Sequence, residues 1–392
     1  MDRSGFLKLV SPEGSRLLAE LEPMDSKTDV VKLVSRLRKD GHDPELIATV
    51  LSQVKLRRKA REKFGEFADQ MLFSQAGLEQ ASRLSVAAIH AGRFRKAGIS
   101  AVADLGCGIG AEALAMASLD INVSAFDSDE LTAALATYNL AHFSNVTVEQ
   151  ADVTKLDLSI FGGLFFDPAR RDSKNRKFNP EDFSPSFSFV LEKAKTKPTI
   201  IKLGPGHPHD QIPEAAEAVW VSINGDLVEL SLYFNEVKRG DVSRSALLIS
   251  SNGTFEISAK TSTTQQAEVG EIQSYLYEPD NALIRSHLIA NLAEELNLKL
   301  LSSDIAYLTG NLAIDNPWLS RYRILDNLPF DRKKLKAYLK DKNTGPLEIK
   351  KRGADITPEA LRKELNLKGS NPATIVVTRI QDQHRVLVVE PE

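Results

Sequence analysis

The sequence predicts an α/β fold built on an open, mostly parallel sheet, and three observations carry that prediction. An apolar run, Ala101–Leu105, meets glycines at alternating positions (Gly106, Gly108, Gly110) and then a helical pattern that starts at Ala111. Strand-like apolar runs continue to alternate with helical patterns through the middle of the chain, the signature of consecutive β/α units. Asp127, Asp152 and Asp167 each stand directly after one of those runs, at the sheet end where ligands bind.

The glycine stretch reads as a ligand turn. A turn from strand to helix that admits a ligand needs unusual dihedrals and a bare backbone, which glycine supplies. The following helix directs unpaired amides toward the turn. Gly106, Gly108 and Ala111 also satisfy the G-x-G-x-x-[GA] pattern of dinucleotide sites, a weak signal alone. Asp104 separates the two readings. A carboxylate at the strand end repels a pyrophosphate but attracts a sulfonium and an ammonium. On these residues, Asp104-Leu-Gly-Cys-Gly-Ile-Gly110 resembles motif I of the class I S-adenosylmethionine-dependent methyltransferases.

The next strands fit that resemblance. Ile121–Phe126 reads as a second strand ending at Asp127, roughly twenty residues beyond the glycines, the interval at which an acid takes a ribose diol. Val146–Ala151 reads as a third, with Asp152 placed where the family hydrogen-bonds the adenine amino group. Alone, each acid reads equally as a cap or loop residue. Gly163–Phe166 is the fourth strand and runs into Asp167-Pro168-Ala169-Arg170-Arg171. This resembles motif IV, the Asp-Pro-Pro-aromatic type of tetrapeptide found in methyltransferases that act on nitrogen. The resemblance implies that Asp167 accepts a hydrogen bond from the target amine, with Pro168 fixing the backbone that presents it. Ala169 and Arg170 depart from the pattern, since the second proline and the stacking aromatic are missing. An arginine plane stacks on a base or pairs with a phosphate, so Arg170 and Arg171 keep a nucleic-acid substrate open. A plain Asp-Pro turn with two surface arginines is the competing reading.

Composition narrows the classes. The chain has 392 residues and a net charge of −3, which excludes a globally basic nucleic-acid coat and leaves only local patches. One cysteine, Cys107, excludes disulfides and points to a reducing compartment, hence the cytoplasm. No apolar run is long enough to span a membrane. His207 and His209, with one acid and no further ligands nearby, make a poor metal site, and none is expected. Methylation at a pyrimidine C5 needs a nucleophilic cysteine, and Cys107 lies inside the glycine loop.

Residues 1–97 read as helical, with apolar spacing of three and four over Asp29–Arg38 and Glu45–Leu56. The basic run Lys55–Lys63 is expected to be a solvated helix face. Met71–Ser82 forms a turn and helix upstream of the glycines, and the resemblance makes Gln80 a cofactor contact within it. Residues 98–258 are assigned to the catalytic domain, with Leu227–Phe234 and Ser245–Ile249 as its last strands and a hairpin turn at Ser251–Gly253. Residues 259–270 form a Ser/Thr/Gln-rich linker.

Residues 271–392 are assigned to a second α/β unit, with an amphipathic helix over Asn281–Leu296 and strands at Tyr322–Ile324, Leu347–Ile349, Ala373–Thr378 and Val386–Val389. Leu276–Arg285, Ile305–Gly310 and Glu348–Gly353 resemble the THUMP-like domain of a bacterial methyltransferase family. With Leu78–Ala81 and Asp167–Arg170, that resemblance covers nearly the whole chain. It implies a Rossmann-like seven-stranded methyltransferase sheet, preceded by a helical region and followed by a small α/β THUMP-like domain. THUMP domains are RNA-binding modules of tRNA-modifying enzymes. The cationic stretch Arg332–Arg352 suits phosphate, and Lys350, Lys351 and Arg352 are its candidate RNA contacts. The expected activity is methylation of a base nitrogen in tRNA or rRNA by S-adenosylmethionine. A small-molecule or protein methyltransferase, or an inactive cofactor-binding RNA module, remains as an alternative.

Overall fold

The computed structural model describes residues 1–21, 29–169, 179–260, 266–381 and 383–392. Arg170 and Arg171 lie outside the described residues. Two compact units emerge, Met1–Leu203 with Ser231–Arg239, and Gly204–Leu230 with Gly240–Glu392.

The first unit opens with helices α1 (Arg3–Val10), α2 (Pro12–Leu21), α3 (Val30–Lys39) and α4 (Pro44–Phe64). Asp2, Asp29 and Asp43 cap α1, α3 and α4 by accepting backbone N–H bonds, which satisfies donors the first turn leaves free. Leu9, Leu17, Leu18, Leu46, Ile47 and Val50 are buried where α1 and α2 pack on α4. Helix α4 outruns the expected Glu45–Leu56 because its basic run keeps one apolar stripe, with Ala60 and Phe64 fully buried. That run is not simply a solvated face. Arg57 is buried and its Nε donates to the Met71 carbonyl at 2.8 Å, while Lys63 reaches toward the next helix.

Helices α5 (Gln75–Gln80) and α6 (Leu84–Lys96) lead to the sheet. Its β/α units are β1 (Ala101–Leu105), α7 (Ala111–Ala117), β2 (Asn122–Asp127), α8 (Glu130–Leu140), β3 (Val146–Gln150), β4 (Gly163–Phe166), α9 (Phe187–Ala194) and β5 (Thr199–Leu203). β1 lies between β2 and β4, parallel to both, and is buried on both faces, as a central parallel strand must be. β6 (Glu217–Ile223) belongs to the second unit, and β7 (Asp226–Phe234) is divided between the two. Strand order in the first unit is β3-β2-β1-β4-β5-β7, the last through Ser231–Phe234.

In the second unit the order runs from the start of β7 through β6 to β8 (Arg244–Ser250) and β9 (Gly253–Ala259). β6 is buried throughout and was not foreseen.

The rest of this unit comprises β10 (Tyr275–Pro279), α10 (Asn281–Arg285), α11 (Ile289–Glu295), β11 (Lys299–Ser302), β12 (Ile305–Gly310), β13 (Leu319–Pro329), α12 (Arg332–Asp341), β14 (Thr344–Lys351), α13 (Pro358–Leu365), β15 (Asn371–Ile380) and β16 (Gln383–Pro391). The expected single helix over Asn281–Leu296 is two. The chain breaks at His287, whose φ is +60°, after the Ser286 hydroxyl donates back to the Leu283 carbonyl. A non-glycine residue in that region cannot continue a right-handed helix.

Among the described residues, the strands of this part form a seven-stranded sheet, β11-β12-β10-β13-β16-β15-β14. Leu335, Leu339, Leu361 and Leu365 of α12 and α13 pack on one face, against Ile349, Ile375 and Val386. On the other, Leu276, Tyr307, Tyr322, Val376 and Leu387 form a separate core. There the sheet curls until the Gln381 amide reaches the Leu301 carbonyl and Arg352 reaches that of Ala306.

Candidate active site

Strand register builds the site. Leu105 is level with Phe126 on β2 and with Phe166 on β4, so Asp127 and Asp167 follow one step beyond, on either side of Gly106. The Gly106 and Cys107 amides both donate to the Phe126 carbonyl at 2.9 Å, which folds the loop over the end of β2. Gly106 sits at φ +97°, and a Cβ there would come within 2.7 Å of the Asp167 carbonyl oxygen. Glycine is thus required twice, for the dihedral and for the approach of the β4 turn. A Cβ on Gly108 would meet nothing within 4 Å, so the loop faces open space at that point.

Asp127 organises the loop. One carboxylate oxygen accepts the Gly108 amide and the other the Asp129 amide, each at 3.0 Å. Burial raises its pKa, while these two amide bonds act in the opposite direction. Asp104 is fully buried, and among the described residues neither of its carboxylate oxygens has a hydrogen-bond partner. Burial first, then the charge of Glu112, hold its pKa well above the ordinary carboxylate value. A buried carboxylate without donors is the natural partner of a cation brought in by a ligand.

Asp167 is held from two sides. Its amide donates to the Leu105 carbonyl at 3.2 Å, and its Oδ2 lies 2.7 Å from Lys202 Nζ on β5. Pro168 is buried beside it, and Ala169 exchanges backbone hydrogen bonds with Ser184. Lys202 also donates to the Gln80 carbonyl at 3.3 Å, so Gln80 enters the site through its backbone, at the exposed end of α5. Lys63 donates to the neighbouring carbonyls of Leu78, Glu79 and Ala81. Burial, then the Lys202 charge, pull Lys63 down to about 8.

Asp152 caps the short turn after β3, accepting from the amide and hydroxyl of Thr154. The Thr154 hydroxyl bond, followed by its amide bond, lowers the pKa.

Sequence reasoning passed over several residues at this site. Lys202 was visible only as one cation in the apolar run Thr199–Leu203. Asn139, near the end of α8, accepts the Leu72 amide at 2.7 Å and donates to the carbonyls of Leu72 and Ile109, tying the segment before α5 to the glycine loop. His90 on α6 is fully buried, with Nδ1 3.0 Å from Glu112 Oε2 and Nε2 3.0 Å from Ser231 Oγ.

In the second unit, Lys350 pairs with Glu278 at 2.8 Å and lies over the Tyr322 ring. Burial alone would lower Lys350, but hydrogen bonds to Glu278 and Tyr322 outweigh it and raise its pKa. Arg352 pairs with Glu278 at 3.4 Å and covers Tyr307, whereas Lys351 is exposed. His209 stacks between Trp220 and His287. Among the described residues no group of three or more His, Cys, Asp or Glu side chains is placed to hold a metal ion, and no helix is long and apolar enough to cross a membrane.

Residues 319–391 match the family model described as THUMP domain-like, and residues 2–60 match a domain of unknown function, DUF8688. The chain is 29% identical over 357 residues to an uncharacterized S-adenosylmethionine-dependent methyltransferase of Mycobacterium tuberculosis, strain CDC 1551 / Oshkosh. That match spans 88% of this chain and 95% of the relative. The counterpart in strain H37Rv gives the same figures. This chain is an S-adenosylmethionine-dependent methyltransferase. Its fold also matches the crystal structure of a candidate methyltransferase from Porphyromonas gingivalis W83, with a TM-score of 0.71 at 18% identity, over 99% of this chain and 98% of that one.

The methyltransferase's glycine-loop residues fit the cofactor on a structural ground. The buried oxygens of Asp104, unpartnered among the described residues, have the sign that the positive charges of S-adenosylmethionine would require, and the open face at Gly108 would leave room for it.

Proposed function

We propose that the methyltransferase acts on a base nitrogen of structured RNA, tRNA or rRNA, with Asp167 orienting the acceptor amine. The observation that carries this reading is the setting of Asp167. Its main chain is pinned against Gly106, and Lys202 holds one of its carboxylate oxygens. The Asp167 carboxylate and carbonyl are assigned as acceptors for the amine, aligning its lone pair with the transferred carbon. The cofactor supplies a methyl group on a positively charged sulfur, so orientation of the amine provides much of the acceleration. As the N–C bond forms and the C–S bond breaks, positive charge moves onto nitrogen, where the carboxylate stabilises it. The surplus proton leaves the nitrogen for solvent.

The remaining roles are assigned in keeping with this. Asp104 faces the cofactor's cationic groups, Asp127 its ribose, Asp152 its adenine, and Gln80 borders its methionine end. Gly106, Gly108 and Gly110 form the loop against which the cofactor lies. Pro168 stiffens the turn, and Arg170 and Arg171 stack on or neutralise the target nucleotide. The THUMP-like match supports RNA as the substrate class, and residues 271–392 are assigned to docking it. Lys351, with Lys333, Lys334 and Lys340 on α12, offers exposed cations for phosphate, whereas Lys350 and Arg352 would have to loosen from Glu278 to join them. A cytoplasmic setting accords with such a substrate.

The test is transfer of tritium from labelled S-adenosylmethionine to total RNA taken from a strain lacking the gene. Label in RNA that disappears with Asp167→Ala, while cofactor affinity is retained, supports the reading. Undiminished transfer by Asp167→Ala rejects the role of Asp167. Label found only in proteins or metabolites rejects RNA.

A further inference from the structure

The glycine-loop site of the methyltransferase contains more buried acid than its own hydrogen bonds can hold. Asp104 on β1 is fully buried and, among the described residues, has no partner for either oxygen. Glu112, in the first turn of α7, is 5% exposed. Its Oε2 lies 3.0 Å from His90 Nδ1, and its Oε1 has no partner. Because a carboxylate only accepts, the His90 Nδ1 is the donor in that bond, and Ser231 anchors the far side of the ring. Phe165 and Tyr233 pack against the imidazole and keep water from it. Among the described residues, three buried carboxylate oxygens of these two acids thus lack a donor.

The groups facing Asp104 do little to relieve it. Glu112 on α7, Asp167 beyond β4 and Asp127 at the end of β2 add negative charge, and Lys202 on β5 opposes them from its bond with Asp167. Cys107, in the loop, is itself pushed up by burial and by Asp104, so it stays a neutral thiol. A fully buried carboxylate with no donor and other acids around it cannot remain ionised without a cation beside it.

We propose that Asp104 holds a proton in the cofactor-free protein and releases it to solvent when S-adenosylmethionine binds, with Glu112, fixed by His90 and Ser231, as the buried acid whose charge helps keep that proton in place. The step balances. A carboxylic O–H bond breaks, the proton passes to buffer, and the arriving positive charge of the ligand takes its place. The inference rests on the cofactor's occupying the glycine loop.

Linkage gives the sign. A proton that is bound without ligand and lost with it makes affinity rise with pH, by up to about tenfold per unit where one full proton is released. The experiment is calorimetry on the full chain, titrating S-adenosylmethionine and, separately, S-adenosylhomocysteine, in phosphate and in Tris at one pH. Expected is a binding heat that differs between buffers by the released proton, and a dissociation constant that falls as pH rises. Asp104→Asn should abolish the release. Glu112→Gln, which removes the neighbouring charge, should reduce it and flatten the pH slope, with circular dichroism confirming the fold.

Tight binding with equal heats in both buffers and a flat pH profile overturns the proposal and leaves the cofactor site standing. Undiminished release in Asp104→Asn overturns it too, because the proton then comes from the ligand's own amine or another group. Absence of binding to wild-type protein at any pH defeats the cofactor placement itself, and the proposal with it.

Discussion

Replacing Asn139 by alanine tests whether the segment before α5 and the glycine loop are one mechanical piece. Asn139 is 6% exposed, and its amide makes three hydrogen bonds, one from the Leu72 amide at 2.7 Å and two to the carbonyls of Leu72 and Ile109 at 3.1 and 3.0 Å. Each such bond contributes roughly 1 kcal/mol net, and a buried group left unpaired costs about 1–3 kcal/mol. Losing all three should cost about 3 kcal/mol, or roughly a hundredfold in the local opening equilibrium. Hydrogen exchange read by mass spectrometry on peptides covering Leu72 and Phe73 measures it directly. Protection should fall by about that factor, and cofactor affinity should weaken with it, since Ile109 lies between Gly108 and Gly110. A change in protection of less than about threefold would refute the claim that this side chain joins the two segments.

Other perturbations follow from the same geometry. Gly106→Ala places a Cβ against the Asp167 carbonyl at a positive φ, so turnover and melting temperature should both fall, the latter from a penalty of about 2 kcal/mol or more. Unchanged melting would show that the loop has room. Asp127→Asn provides one acceptor where two amides now bond, and cofactor affinity should drop by about tenfold or more on calorimetry. His209 has its pKa lowered to about 4, chiefly by burial and then by the charge of His287, from an ordinary value of 6.5. The folded state therefore resists a proton that the unfolded chain accepts. Stability present above pH 6.5 should decline as pH falls toward 4, and His209→Phe, which keeps a ring between Trp220 and His287, should flatten that decline in denaturant titrations followed by tryptophan fluorescence. Lys63→Met should fray the end of α5 by stranding three carbonyls, which exchange at Ala81 would report.

The parts of the site legible in the sequence are those written in consecutive residues. Gly106, Gly108 and Gly110 declare a turn whose dihedrals few other residues adopt, and Asp127 and Asp167 stand at strand ends where parallel register brings them together. What stayed hidden depends on residues far apart in the chain. His90, Glu112 and Ser231 meet across three elements, and nothing in the spacing of Lys202 announces Asp167. Lys350 and Arg352 look like free cations until folding sets Glu278 beside them. Strand β6 is hidden for a different reason. Its buried run ends at Asn224-Gly225, a strong hairpin signal, and both residues have positive φ as such a turn requires. The helix expected over Asn281–Leu296 failed because amphipathic spacing cannot register one left-handed residue at His287.

The make-up of the first unit bears on how the chain is synthesised. Its strands β1 to β5, its α-helices and its glycine loop are all in hand by Leu203, yet Ser231–Arg239 also belong to it. Ser231 supplies the hydroxyl at His90, Tyr233 packs on the same ring, and the Val237 carbonyl receives Arg93. A nascent chain halted just after Leu203 has therefore made every strand-end acid of the site but not the segment that holds its buried histidine. On the ribosome, this unit should reach protease resistance only after residue 239 has cleared the exit tunnel. Separating the two units at a single peptide bond would deprive one of them of its last strand.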